Sequence, residues 1–112
     1  MASKRNFHGL TDSGVFYRDR DEWMRYVVTQ PDLDNSVRLV ALYIALRANP
    51  QSREPFPRQT TIAKELRLHV QTVKLAVAAL KSRNLIVVSR RIAPGGRKPV
   101  NHYALIHPAD MT

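Results

Sequence analysis

Residues 57–86, PRQTTIAKELRLHVQTVKLAVAALKSRNLI, contain two apolar repeats of helical spacing separated by a short turn. The first repeat, over 60–66, places three apolar side chains on one side of a helix: Ile62, Ala63 and Leu66. The second, over 70–83, repeats at intervals of four and three residues: Val73, Val77 and Leu80. Because side chains at these intervals share one helix face, the stretch predicts two consecutive helices joined by a tight turn. Asn84 suits a left-handed residue at the end of the second helix.

A more apolar helix is predicted just upstream, over 35–48. Asp34 is a good N-cap residue. One apolar stripe follows it: Val37, Val40, Ala41, Ile44 and Ala48. A second apolar surface adds Leu39, Leu42, Tyr43 and Leu46. A helix that is apolar on most sides needs to be covered on more than one side, either by residues 15–30 or by a second subunit. A proline-rich loop over 49–57 follows.

Downstream, the pattern changes to that of a β-hairpin. Residues 85–92 (LIVVSRRI) are rich in β-branched side chains, and 100–106 (VNHYALI) alternate between two faces. The residues between them, Ala93-Pro94-Gly95-Gly96-Arg97, have the composition of a turn. The predicted order is therefore helix, helix, helix, strand, basic turn, strand.

This order, over about 33–106, resembles that of winged helix-turn-helix DNA-binding domains. The family signature corresponds to Thr61-Ile62-Ala63, Leu66, Thr72-Val73, Leu80 and Asn84-Leu85-Ile86. The resemblance implies a mainly α fold with a small β-hairpin, in which three helices carry a two- or three-stranded wing sheet. It also implies that 70–83 form the recognition helix, which lies in the major groove, and that the hairpin is a wing on the backbone or minor groove. Similar modules occur in small bacterial regulators, phage proteins and plasmid replication initiators.

Two positions depart from the family pattern. Arg67 stands where the turn often has glycine, and since arginine resists positive φ, we expect a turn of different shape or a longer second helix. His69 stands where Ser or Thr often caps the recognition helix. It is a poorer cap, so a phosphate contact is a second role to consider for it.

The rest of the chain divides by composition. Residues 1–14 are polar and are expected to form a flexible basic arm, 15–32 an N-terminal packing or dimerisation segment, 33–107 the winged domain and 108–112 a tail. Within 15–30, we expect a short helix or irregular segment that runs into a short strand, because Tyr26-Val27-Val28-Thr29 favours β structure. Asp19, Asp21 and Glu22 lie among arginines and predict a salt-linked surface.

Charge is distributed unevenly along the 112 residues, whose formal net charge is +9. Residues 66–109 contain no Asp or Glu but eight basic side chains: Arg67, Lys74, Lys81, Arg83, Arg90, Arg91, Arg97 and Lys98. Solvated surfaces normally mix both signs. The acid-free stretch therefore predicts a polyanionic partner, and double-stranded DNA is the one that the resemblance implies.

If the repeat of the last helix faces the core, five side chains must project outward: Gln71, Lys74, Leu75, Ala78 and Lys81. Gln71 and Lys74 are types that read base edges in the major groove. Leu75 could contact a thymine methyl group or another protein. The predicted DNA-binding residues of this helix are His69, Gln71, Thr72, Lys74, Leu75 and Lys81. Those at the start of the preceding helix are Arg58, Gln59 and Thr60. Those of the wing are Arg90, Arg91, Arg97 and Lys98, whose alternative role is to keep a strand edge soluble.

Other classes of function find little support. The chain has no cysteine, and its four histidines show no metal-ligand spacing, so we expect no metal and no cofactor. No phosphate-binding glycine loop or catalytic triad pattern occurs, so we expect no enzyme. The absence of a long apolar run predicts neither a membrane span nor a secretory signal, and the expected location is the bacterial cytoplasm, on the nucleoid.

We therefore expect sequence-specific binding to DNA. One recognition helix reads only a few base pairs, so a homodimer or higher multimer is expected. Three functions remain open: a transcriptional regulator, a plasmid or phage accessory protein in replication, partition or excision, and a protein-interaction module built on the same fold. No small-molecule ligand is predicted.

Overall fold

The computed structural model describes residues 5–6 and 13–107. Its helices are α1 (Ser13–Val28), α2 (Asn35–Arg47), α3 (Gln59–Leu66) and α4 (Val70–Ser82). Its strands are β1 (Arg5–Asn6), β2 (Ile86–Ile92) and β3 (Pro99–His107). The winged helix-turn-helix order is confirmed, with one helix more than the three predicted.

The additional helix, α1, corrects the prediction for residues 15–30. The segment does not become a strand at Tyr26–Thr29 and stays helical to Val28. Trp23 and Val27, one turn apart, are both fully buried. This burial on one helix face outweighs the β propensity of the valines, since strand propensity mostly reflects packing.

Asp19 is also buried, three residues after Phe16 and four before Trp23 on the same inward face of α1. The prediction that it belongs to a salt-linked surface is therefore wrong. The Arg18 Nε atom lies 3.6 Å from the Asp19 carboxylate. Arg20 and Asp21 form the more exposed pair that the sequence suggested, at 3.5 Å.

α2 forms the centre of the core. Its buried side chains are Val37, Val40, Ala41, Ile44 and Ala45. α1 packs against it and supplies part of the predicted cover, but Leu39 and Leu46 stay exposed. Asp34 lies at the N-cap position as predicted, although its side chain makes no capping hydrogen bond.

The turn between α3 and α4 keeps its shape despite the arginine. Arg67 adopts the left-handed conformation, with φ 58° and ψ 45°, so the expected change of turn shape or longer helix is wrong. The Leu68 amide donates to the Ala63 carbonyl at 2.9 Å, and the Arg67 amide to that of Lys64 at 3.4 Å. These two bonds form a Schellman motif, and the Leu68 side chain packs against the core. The motif and its apolar contact oppose the steric cost at Arg67.

α4 ends in the same way. Asn84 has φ 58°, as its predicted left-handed role requires. The Leu85 amide donates to the Leu80 carbonyl at 3.0 Å, and the Leu85 side chain is buried. β2 begins at the next residue. The end of α4 and the start of β2 are thus one continuous turn.

The sheet has the order β1-β3-β2, and both pairs are antiparallel. In the β2–β3 hairpin, Val88 faces Tyr103 and Arg90 faces Asn101. Gly95 at the tip has φ 77°, which glycine adopts without steric cost. The loop that precedes α3 runs beside β3, where the Tyr103 amide donates to the Pro55 carbonyl at 2.9 Å.

The predicted N-terminal arm and C-terminal tail lie mostly outside the described residues. Of the arm, Arg5–Asn6 pair with β3, opposite His107 and Ile106, and Ser13 begins α1. The flexibility of the arm therefore stays a prediction for its other residues. No helix within residues 13–107 is long and apolar enough to cross a membrane.

The two left-handed turns lead to a stability prediction. Arg67→Gly is expected to stabilise the fold by up to about 1 kcal/mol. The left-handed conformation costs a residue with a side chain roughly 1–2 kcal/mol, and about half of this gain is lost because glycine gives up more backbone conformational entropy on folding. Asn84→Gly is the matched control with almost no expected gain, since asparagine tolerates this conformation. The free energy of unfolding in urea measures both. Destabilisation by Arg67→Gly would contradict this account of the turn.

Candidate nucleic-acid interface

The outer face of α4 carries the side chains that the apolar repeat placed there. Val73, Ala76, Val77 and Leu80 are buried, whereas the outward set is exposed: Gln71, Lys74, Leu75, Ala78 and Lys81. Leu75 is 61% exposed and lies between lysines on this face. The predicted orientation of α4 is confirmed.

Both α3 and α4 begin without a side-chain cap. Arg58 is the N-cap residue of α3 and His69 that of α4, and neither makes a capping hydrogen bond. The first amide groups of each helix are therefore not satisfied by a capping side chain. Such amides, at the positive end of the helix dipole, favour an anion. His69 is exposed, and Thr72 is partly buried in the first turn of α4.

A groove of about 390 Å³ lies between these helix starts and the wing. Its lining joins three separate parts of the chain: Arg58, Gln59 and Thr60 from α3, Val70 and Lys74 from α4, and Arg90, Pro99, Val100 and Asn101 from the hairpin. Three of these residues are cationic and none is acidic. The fold thus brings together the predicted residues of α3, one from α4 and one from the wing.

The wing arginines do not share one surface, although the sequence grouped them. Neighbouring strand residues point to opposite faces, and Arg90 lines the groove while Arg91 points away from it. Arg91 forms an ion pair with Glu54 of the loop before α3. Arg97 and Lys98 are exposed at the tip, and within the described residues no ion pair involves them.

Another member of the acid-free stretch is also engaged. The Arg83 guanidinium lies 2.7 Å from the Asp32 carboxylate and 3.3 Å from the Gln30 side-chain oxygen. This contact links the end of α4 to the turn between α1 and α2. The hydrogen bond from Arg83 holds the pKa of Asp32 below its usual value. Arg83 therefore has a structural partner, and Lys74 and Lys81 are the basic residues on the outer face of α4.

The structure adds groove residues that sequence reasoning missed, chiefly Asn101 and, below it, Tyr103. Tyr103 is fully buried, and burial raises the pKa of its hydroxyl, while hydrogen bonds from Asn101 and Gln59 act in the opposite direction. The alternation of residues 100–106 already placed Asn101 and Tyr103 on one face. What it could not indicate is that this face turns toward the start of α3.

The described residues show no group of three histidine or carboxylate side chains arranged to hold a metal ion. The most exposed apolar side chain of α2, Leu46, lines a separate hollow of about 440 Å³ together with Phe56. The other contact between copies that the sequence suggests is the segment with Phe16, Tyr17 and Trp23, which lies in α1. Phe16 and Trp23 are buried in the core, whereas Tyr17 is exposed.

The comparison with known families agrees with this geometry. Residues 32–86 match a family model described as a helix-turn-helix domain. The match covers α2, α3 and α4 and ends at the first residue of β2. No curated protein and no solved structure matches the chain.

Proposed function

We propose that this chain, whose residues 32–86 belong to the helix-turn-helix domain family, binds double-stranded DNA in a sequence-specific manner and without catalysis. In this proposal α4 enters the major groove and the wing lies on the backbone or minor groove. The observation that supports it best is the groove in which Arg58, Lys74 and Arg90 meet without a carboxylate. Cations close together repel one another, and a phosphate bound between Arg58 and Arg90 reduces that repulsion while Lys74 reaches toward the bases.

The roles of the residues divide by position. Gln71, Lys74 and Leu75 face outward from α4 and are proposed to select bases, since glutamine and lysine recognise adenine and guanine edges. Arg58 at the start of α3 and three cations of the wing, Arg90, Arg97 and Lys98, are proposed to bind phosphates, and they supply affinity rather than selectivity. Arg91 is left out of this set because it pairs with Glu54 on the opposite face of the strand. His69, Thr72 and the free amides beside them fit a phosphate at the start of α4.

A regulator of transcription that acts as a dimer or multimer is the biological role that we propose, in the cytoplasm on the nucleoid. The short outer face of α4 reads too few base pairs for a unique genomic site, and a second copy doubles the site. Phe16 and Trp23 are buried, so the candidate contacts between copies are Leu39 and Leu46 on α2 and the exposed Tyr17 on α1. A plasmid or phage protein that coats repeated sites would use the same DNA-binding surface.

Selection from random duplex DNA tests the proposal directly. We expect an enriched motif with two half-sites: an inverted arrangement supports an operator-binding dimer, whereas direct repeats support the repeat-coating role. Selection at two salt concentrations separates specific binding from non-specific charge attraction. Non-specific binding weakens as salt rises and enriches no motif, whereas specific binding enriches the same motif at both concentrations. Recovery without any motif would contradict sequence-specific binding and favour the protein-interaction module.

The separation of base-reading and phosphate-binding roles predicts two different phenotypes. Lys74→Ala should relax preference at one or two base pairs, at a cost of roughly 1–3 kcal/mol for the preferred site. Arg97→Ala should weaken binding to all sequences alike and reduce the slope of log K against log salt by about one. Arg25→Ala, on the exposed side of α1, removes the same charge and serves as control. Equal changes of specificity in both variants would contradict the assignment.

Leu75 leads to a prediction about base chemistry. In the major groove the thymine methyl is the apolar group that a leucine can contact. Replacing the contacted thymine by uracil removes only that methyl, and burial of about 0.8 kcal/mol per carbon predicts roughly fourfold weaker binding. Leu75→Ala should abolish this sensitivity, whereas Ala78→Gly should keep it. Retained sensitivity in Leu75→Ala would contradict the contact.

A further inference from the structure

The wing arginine of the groove is held in place by its own strand partner. Arg90 Nη1 donates to the Asn101 Oδ1 atom at 3.1 Å, and Arg90 Nη2 donates to the Pro99 carbonyl at 3.0 Å. Both acceptors belong to β3, directly across the hairpin. An arginine side chain has five N–H donors, so three remain after these two bonds. The guanidinium is thereby fixed across the wing with donors left for another partner.

Asn101 is itself connected to the interior. Its side-chain amide approaches the Tyr103 hydroxyl at 3.5 Å. Tyr103 is fully buried. A series of polar groups therefore runs from the buried hydroxyl, through Asn101, to the exposed guanidinium. We call these three side chains, Tyr103, Asn101 and Arg90, the wing network.

The neighbouring arginine shows what the network achieves. Arg91 is bound by Glu54, a carboxylate that competes with any incoming phosphate for the same donors. Arg90 is bound instead by neutral acceptors, an amide oxygen and a backbone carbonyl, so its full positive charge remains uncompensated. An arginine with fixed geometry and unneutralised charge is suited to a phosphate, because little side-chain entropy is lost on binding.

We propose that Asn101 is a positioning residue for DNA binding, which holds the Arg90 guanidinium toward Arg58 so that these two arginines form one phosphate site beside Lys74. This inference rests on the proposed function and adds to it a residue that acts through Arg90. Tyr103 extends the same support into the core. The wing and the helix-turn-helix thereby present their cations in one fixed arrangement.

The test measures DNA affinity as a function of salt for Arg90→Ala, Asn101→Ala and the double variant, on one duplex from the selection above. Arg90→Ala should lower the salt slope by about one. Asn101→Ala should weaken binding roughly three- to tenfold, the entropy cost of one released arginine, and should lower the slope although asparagine carries no charge. In the Arg90→Ala background, Asn101→Ala should have no further effect.

Arg91→Ala is the matched control, since it removes an identical charge from the opposite face of the same strand, and its slope should stay near that of the unaltered chain. If the double variant binds DNA more weakly than Arg90→Ala alone, Asn101 acts by a route other than Arg90, such as support of the fold, and the positioning role is wrong. If Arg90→Ala weakens binding and Asn101→Ala does not, the positioning role alone is wrong. If the unaltered chain fails to bind any duplex, the proposed function fails with it.

Discussion

The backbone amide and carbonyl groups of Leu85 connect the parts of this fold. Its carbonyl oxygen accepts hydrogen bonds from the Trp23 indole at 3.1 Å and from the Ile106 amide at 2.9 Å, while its amide closes the end of α4. One residue thus joins α1, α4 and both strands of the hairpin. The angle at which β2 leaves α4 determines where Arg90 lies relative to Lys74. The geometry of the candidate interface therefore depends on this buried turn rather than on the exposed residues themselves.

Charge in this molecule is arranged by faces as well as by sequence. The described carboxylates lie on α1, at the ends of loops and on α3, and those that approach the basic stretch bind particular arginines: Asp32 binds Arg83 and Glu54 binds Arg91. Both of these pairs lie outside the groove. Among the residues that the structure describes, no carboxylate pairs with the three cations of the groove, and Arg90 donates its hydrogen bonds to neutral acceptors. Position, in addition to net charge, thus distinguishes the proposed phosphate site from the rest of a basic protein.

Much of the fold could be predicted, because α2, α3 and α4 each have a regular apolar repeat and the hairpin has a glycine turn. The failures come from interactions that a local pattern does not contain. Tyr26 to Val28 have strand-forming side chains, and the segment is helical because Trp23 and Val27 are buried on one face of α1, which packs against α2 and β3. Arg67 adopts a glycine-like conformation because Leu68 finds an apolar contact. The exposed face of α4 followed from the helical periodicity. Knowing which of Arg90 and Arg91 faces the groove required the register of β2, and recognising Asn101 as a groove residue required the position of the hairpin beside α3.

The packing of α1 also determines which part of the chain unfolds as one cooperative unit. The segment that carries the family pattern, 32–86, contains neither Phe16, Trp23 and Val27 nor Tyr103 and Leu105, all of which are fully buried. Excision of that segment would expose the other side of the same core to water and leave the Leu85 carbonyl without either donor. The part of the chain that unfolds cooperatively is therefore longer than residues 32–86, the segment that matches the family model. Domain boundaries for any shorter version of this protein belong before Ser13 and after Ile106.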